Sequence, residues 1–463
     1  MVRKAYTALA YAVADDMVFG DAVNPVSAPK WGFEAGAGMV HPDIKVAPPP
    51  GSEETLEKLK KSHDHFTSDA CNRAIGIGIP SIMVEQEHVF QQTHNPDWGG
   101  ATTKVQADIL QKFHDEWGIA CYLRQTVADL RRSEIALRDT PYERDIMATI
   151  EACCKNGTSD IAMETMGGKE VLDYSVTRAD LEGVLFGIGV CGSIDMEYVW
   201  TKAVDICKKN NVIPAGDTNC SGANTVMFIA GGLTDKDVAH TFAAFARAIS
   251  APRSLVAMEC GCTGPDKDCA YEGPIVKAVS GNPTCQEGKD CVCAHGDVMG
   301  NLVAQVCDIW TNESVEYHEE FGGTTAAVWF QAVAEEVALM NIAKQTGNDK
   351  LLRDLYMSVD IYRDPQPLIL AYPNAFQIGG AIVSDGADIY LRARAAAMKA
   401  GEIMKAGHDS GKLPLTKFES DALTSGMAKL GALTDDKDRF IADKVAWADK
   451  VKIYQWQKKN YAY

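Results

Sequence analysis

Two cysteines and one glutamate stand where their side chains can do chemistry together. Glu164 ends the strand-like Asp160-Ile-Ala-Met-Glu164. Cys220 lies in Gly216-Asp-Thr-Asn-Cys-Ser-Gly222, after the strand-like Val212-Ile-Pro-Ala215. Cys269 closes Gly261-Cys-Thr-Gly-Pro-Asp-Lys-Asp-Cys269, after the strand-like Leu255-Val-Ala-Met-Glu259. In parallel α/β folds the residues just past the carboxyl ends of the strands converge on one face. Thiolates and a carboxylate are good zinc ligands, and three of them leave a tetrahedral ion one open position, as catalytic sites require. Taken singly, each residue has a plainer reading: Glu164 as a solvent-facing strand end, Cys220 as a packed thiol in a glycine-rich turn. Spacing alone does not decide between them.

Other residues compete for the same chemistry. Cys260, Cys262, Cys285, Cys291 and Cys293 crowd one stretch and offer a structural zinc or iron–sulfur site, although they lack the paired CxxC spacing of such motifs. Cys71, Cys121, Cys153, Cys154, Cys191, Cys207 and Cys307 lie inside apolar patterns and are expected to pack as small hydrophobes. Glu85-Gln-Glu-His88 with His94 carries metal-type ligands, whose commoner use is hydrogen bonding or substrate positioning. His63 and His65 read as solvated on a polar helix end. Asp217 and Glu259 flank the ligand loops and are candidates to deliver a proton.

Positioning these groups requires alternating strands and helices. Helical spacing runs from Thr102 to Trp117 and stops at Gly118, before the buried strand Ile119 to Leu123. Thr140-Pro-Tyr-Glu143 is a capping box with proline at the first helical position; its helix ends at Gly157, before the strand Asp160 to Glu164. A glycine-interrupted strand from Val184 to Cys191, a helix from Met196 to Lys209 and the strand Val212 to Ala215 form a third unit. A helix from Asp237 to Ile249 and the strand Leu255 to Glu259 form a fourth. Repeated units of this kind imply parallel crossovers, in a doubly wound sheet or a (β/α)8 barrel. The absence of GxGxxG after any strand favours the barrel.

The first hundred residues, with Ala47-Pro-Pro-Pro50, Asp97-Trp-Gly-Gly100 and a charged helix near Glu53 to Lys61, are expected to wrap the barrel. Helices are expected at Thr325 to Lys344, Ala387 to Met404 and Lys417 to Leu430. Residues 1–330 are thus read as a TIM barrel with its N-terminal extension, and 331–463 as a helical part packed on it, not an independent domain.

The 463 residues are 46% hydrophobic and 23% charged, which suits a large globular core. A formal charge of −18 repels nucleic acid and anionic membranes. No signal-type segment or uninterrupted apolar run long enough to span a bilayer appears, so a cytoplasmic protein is expected.

The stretches Ala162-Met-Glu-Thr-Met-Gly-Gly168, Gly216-Asp-Thr-Asn-Cys-Ser-Gly-Ala-Asn224 and Glu259-Cys-Gly-Cys-Thr-Gly-Pro-Asp-Lys-Asp-Cys269 resemble the methanol-specific methyltransferase subunit of methanogenic archaea, from Lys4 to the C-terminal helices. The resemblance implies a TIM barrel and one zinc ion per chain on Glu164, Cys220 and Cys269. It also implies transfer of the methyl group of methanol to Co(I) of a corrinoid held by a separate protein, in a heterotetramer with two copies of each. This would be the first step of methanol use in methanogenesis. Two alternatives stand beside it: a related corrinoid methyltransferase with another donor, such as a methylamine or a methoxyaromatic, and a non-catalytic cysteine-rich metal-binding module. Two thiolates and a carboxylate outweigh a dication and leave a formal −1, so something must compensate if the ion is to act as a Lewis acid.

Overall fold

A computed structural model describes residues 3–129, 137–232, 238–267, 271–289, 299–316 and 319–461. Cys269, Cys291 and Cys293 lie outside the described residues.

The chain opens with an antiparallel pair, β1 (Asp21–Ser27) and β2 (Glu34–Ala37). A short antiparallel pair, Glu319–Glu320 and Gly323–Thr324, lies late in the chain, and the main strands are β3 (His41–Ala47), β4 (Ser81–Glu87), β5 (Ala120–Ala128), β6 (Asp160–Glu164), β7 (Ile213–Gly216), β8 (Cys285–Glu287) and β9 (Ile309–Val315). They form one sheet in the order β7-β6-β5-β4-β3-β9-β8, every neighbouring pair parallel. Parallel neighbours need long crossovers, and helices Leu56–Ile77, Pro96–Trp117 and Pro141–Lys155 supply the first three.

Local sequence explains these helices. Pro96–Trp117 starts on proline and stops where Gly118 turns left-handed at φ 68°. Pro141–Lys155 is capped by the Thr140 hydroxyl, which accepts from the Glu143 amide at 3.4 Å. The Glu143 carboxylate returns not to the cap but one residue further out, accepting from the Asp139 amide at 2.7 Å.

Three expectations are corrected. The first hundred residues are more than a wrap, because β3 and β4 lie inside the sheet and Leu56–Ile77 is their crossover. The stretch from Leu181 to Lys209 is helical throughout, with π-type turns at Leu185–Gly192, where a strand was expected. All eight residues of Leu185–Gly192 are buried, so no polar face gives the sequence a helical period. The stretch packs closely on the loop before it: a Cβ on Gly168 would lie 1.9 Å from the Gly187 carbonyl oxygen.

Likewise His240–Cys260 is one helix, with Pro252 inside it, and the expected strand Leu255 to Glu259 is its last turns. Every residue from Thr241 to Cys260 is buried, and the proline reads as a break although the surrounding packing keeps the helix continuous. The chain next runs extended between the sheet's two edges. Thr263 and Gly264 donate amides to the Pro214 and Ala215 carbonyls of β7, each at 3.0 Å. Asp266 donates to the Pro283 carbonyl at 3.3 Å, just before β8.

Helices Thr325–Gln345, Ile389–Asp409 and Lys417–Ala432 fall where the sequence placed them. The first packs on β3 and β9, the other two on His240–Cys260. No helix among the described residues is long and apolar enough to cross a membrane.

His63 is buried, not solvated; His65 is exposed as expected. His63 Nδ1–H donates to the Leu59 carbonyl at 2.7 Å, and Nε2 faces the Gln92 amide nitrogen at 3.3 Å. That amide also donates to Thr102, and its oxygen accepts from the Val89 amide, so its orientation is set. Burial lowers the ring's pKa from 6.5 to about 4, with the Leu59 carbonyl and the Gln86 side chain opposing. This contribution to stability is complete above pH 6.5. It is lost as pH falls toward 4, because the unfolded chain takes a proton that the folded chain refuses. His63→Gln removes that proton uptake. The stability gap between the native protein and this variant should narrow by about 1.4 kcal/mol per pH unit between pH 6 and 4 in urea unfolding. Parallel stability–pH curves would show that His63 does not titrate this way.

Candidate metal centre

The sheet carries charges in register. Glu313 (β9) pairs with Lys45 (β3), Lys45 with Glu85 (β4), Glu85 with Arg124 (β5) and Arg124 with Asp160 (β6). The result is a belt of alternating sign across five strands. Lys45 is ion-paired with Glu313 and lies 3.1 Å from Glu87. Arg124 is fully buried; its Nη2 donates to Asp160 at 2.9 Å, and its Nη1 lies 3.6 Å from Glu85. Burial pushes Asp160 up to about 6 even with Arg124 opposing it.

Arg124 also reaches out of the belt. It donates to the Pro265 carbonyl at 2.6 Å and the Asp266 carbonyl at 3.0 Å, which fastens the segment between β7 and β8 to β5. The next residue, Lys267, has no exposed surface; its ammonium sits 3.2 Å from Glu85 and 3.1 Å from Glu164. Glu164 is thereby tied to the belt while its side chain stays 18% exposed.

Cys220 follows β7, the strand beside Glu164's own. It is the one cysteine among the described residues that is not buried. The Glu272 carboxylate accepts from the Asn219 amide at 2.8 Å and from the Ser254 hydroxyl at 2.6 Å. The Asn219 side chain donates to Ser250 at 2.8 Å, so the residue before Cys220 is held on both sides. Asn224, one helical turn on, points its amide nitrogen at the Cys220 sulfur at 3.8 Å.

Asp217 links the two loops. It accepts from the Thr165 amide at 3.0 Å and from Arg253 at 3.2 Å, and Arg253 reaches the Thr165 carbonyl at 2.9 Å. Burial raises Asp217 to about 6, with Arg253 opposing. Glu259 is elsewhere: its carboxylate binds Arg3 at 2.6 Å and Arg392 at 2.9 Å, and the strand-end placement expected for it is replaced by a buried helix.

The rival residues are packed. Cys260 and Cys262 are buried, and burial pushes the Cys260 thiol up to about 11. Cys285 lies on β8, 3.0 Å from the Thr311 hydroxyl. Glu85 accepts from Thr126 at 2.7 Å, His88 pairs with Gln125 at 2.9 Å and His94 with Asp145 at 3.0 Å, so these are hydrogen-bonded groups. Among the described residues, no three His, Cys, Asp or Glu side chains gather as a metal cluster. Of the expected trio, Glu164 and Cys220 are among the described residues and Cys269 lies outside them. Sequence reasoning gave no role to Lys267, Arg124, Arg253 or Glu272. The available signal was ionic side chains inside otherwise apolar, buried segments, which need partners.

Residues 3–462 match the family described as methanol-cobalamin methyltransferase B subunit, MtaB. The chain belongs to the MtaB family. It is 50% identical, over the full length of both chains, to the methanol–corrinoid protein co-methyltransferase of Methanosarcina barkeri (strain Fusaro / DSM 804). It also superposes with a TM-score of 0.96 on a chain in the crystal structure of the methanol:cobalamin methyltransferase complex MtaBC from Methanosarcina barkeri. That match has 49% identity and covers 99% of this chain and 100% of the other.

In this MtaB chain the Asp217–Arg253 pair is the brace between the β6 and β7 loops. Asp217→Leu should cost about 3–5 kcal/mol in urea unfolding, because it leaves a buried guanidinium without its anion. Adding Arg253→Met should recover much of that loss. With Arg253→Met alone completing the cycle, an interaction energy near zero would show that the pair is not coupled.

Proposed function

We propose that this chain transfers the methyl group of methanol to the cobalt of a corrinoid carried by a partner protein, with one zinc ion on Glu164, Cys220 and Cys269. The observation that carries the reading is the placement of Glu164 and the accessible Cys220 past the ends of neighbouring strands, in a chain of the MtaB family over its whole length. The donor set fits the ion. One carboxylate ends β6 and one thiol follows the neighbouring β7, both partly exposed, and the fixed run Thr263 to Lys267 leads within two residues of sequence to Cys269. Two thiolates and one carboxylate leave a tetrahedral ion an open position.

When bound, zinc would polarise the C–O bond and stabilise charge on the departing oxygen. The cobalt(I) electron pair forms the cobalt–carbon bond, the C–O pair leaves on oxygen, and that oxygen takes a proton and departs as water. The chain's own residues orient the donors: Lys267 holds Glu164, and the clamp of Glu272, Ser250 and Ser254 on Asn219 sets the turn that presents Cys220. Asp217 is committed to Thr165 and Arg253, which favours a brace over a proton donor as its role.

We read the sheet as a (β/α)8 barrel whose eighth place is taken by residues 263–266; their amide bonds toward β7 and Pro283 support this. Two copies of the chain with two of the corrinoid protein, in the cytoplasm, complete the reading.

Single-turnover methyl transfer from methanol to Co(I) cobalamin, measured beside zinc content, tests it. The native protein should hold about one zinc per chain. Alanine at Cys220 or at Cys269 should remove most of the zinc and slow transfer by about 100-fold or more, with the fold intact. Full zinc in both variants would overturn the ligand assignment. Transfer from a methylamine or methoxyaromatic but not from methanol would establish the other donor class. Serine at Cys285, Cys291 and Cys293 together should leave zinc near one per chain.

A further inference from the structure

The geometry points to Lys267 as the positioning residue that tunes Glu164, drawing charge from its carboxylate so that the zinc held there stays electrophilic. This inference rests on the zinc reading above.

The formal charge of two thiolates, one carboxylate and a dication is −1, and an anionic ligand set weakens a Lewis acid. A cation near the set must offset this. Lys267 is ion-paired with Glu164 at 3.1 Å. The lysine is fully buried, so water does not screen it, and a charge-assisted hydrogen bond in such surroundings is strong. Glu85 fixes it from the other side at 3.2 Å, and Glu85 is itself anchored by Thr126 at 2.7 Å and neighboured by Arg124 at 3.6 Å. Arg124 holds the two carbonyls preceding Lys267. Every contact needed to aim the ammonium at Glu164 is therefore built into the belt.

An ammonium on a ligating carboxylate has two opposed effects. It makes the carboxylate a poorer donor, which weakens metal binding, and it leaves more positive character at the ion, which favours departure of the oxygen. A residue that merely held the loop would move both quantities together. Outer partners of metal ligands typically change affinity or activity by about 10–100-fold.

The test is Lys267→Met, Lys267→Arg and the pair Glu85→Gln with Lys267→Met, the last removing one positive and one negative charge so that the belt stays balanced. Zinc affinity is read by competition with a chelator, and transfer from methanol to Co(I) cobalamin at saturating substrate gives kcat. Lys267→Met and the double variant should hold zinc at least as tightly as the native protein yet transfer methyl about 10–100-fold more slowly. Lys267→Arg, which keeps the charge, should stay closer to native. Native kcat in the double variant, or joint loss of zinc and rate in both methionine variants, would overturn the proposal. Cys220→Ala run in parallel separates the two readings: if it keeps its zinc, the zinc site itself is misassigned, whatever Lys267 does.

Discussion

A buried ammonium shared by two glutamates is the contact on which the candidate site turns. Lys267 joins Glu85, inside the sheet, to Glu164, at its rim. Glu85 in turn belongs to a row of opposite charges in which each strand contributes one member at the same register. Removing Arg124 would take from the buried Asp160 its guanidinium partner, and stripping a buried charge of its partner is costly in an interior. The row therefore fixes the register of five strands, and with it the height at which Glu164 leaves β6.

Such a row is a weak device for stability, since well-packed apolar residues of similar size often do as well or better. Its value lies in what an apolar core cannot provide. Charged side chains in a low-dielectric interior hold each other in fixed directions and set the potential at the open end. Here the negative members outnumber the positive ones. Lys45 faces Glu87 and Glu313 and lies 3.8 Å from Glu287. The interior thus favours a cation at its rim, where the Lys267 ammonium lies beside Glu164.

Much of this was legible before any coordinates. Thr140 and Pro141 announced a helix start, Gly118 a helix stop, and alanine-rich composition marked Thr325–Gln345 and Ile389–Asp409 as helices. The two long misreadings share one cause. Leu185–Gly192 and Thr241–Cys260 are buried on all sides, so the alternation of apolar and polar residues that distinguishes a helix from a strand is missing. Pro252 then read as the break that the packed helix does not have. At the site, Glu164 and Cys220 were readable because strand ends in parallel folds share a face. Lys267, Arg124 and Glu272 were not, because their meaning lies in partners far along the chain. Glu259 shows the converse: placed beside the ligand loops by sequence, its carboxylate lies instead between Arg3 and Arg392.

The anchoring of the segment before Lys267 and the geometry of the site share one residue. Arg124 binds Asp160 within the sheet and, with the same guanidinium, the carbonyls of Pro265 and Asp266. Those carbonyls belong to the segment that reaches amide donors toward β7 and β8, and the following side chain is Lys267. A guanidinium suits this double task because its donors lie in one rigid plane and point in several fixed directions, whereas an ammonium on a flexible stem would fix neither partner. The backbone path between β7 and β8 and the direction of the lysine at Glu164 are thus set by a single planar group. Anchoring this segment to the sheet and aiming the ammonium at Glu164 are one structural event.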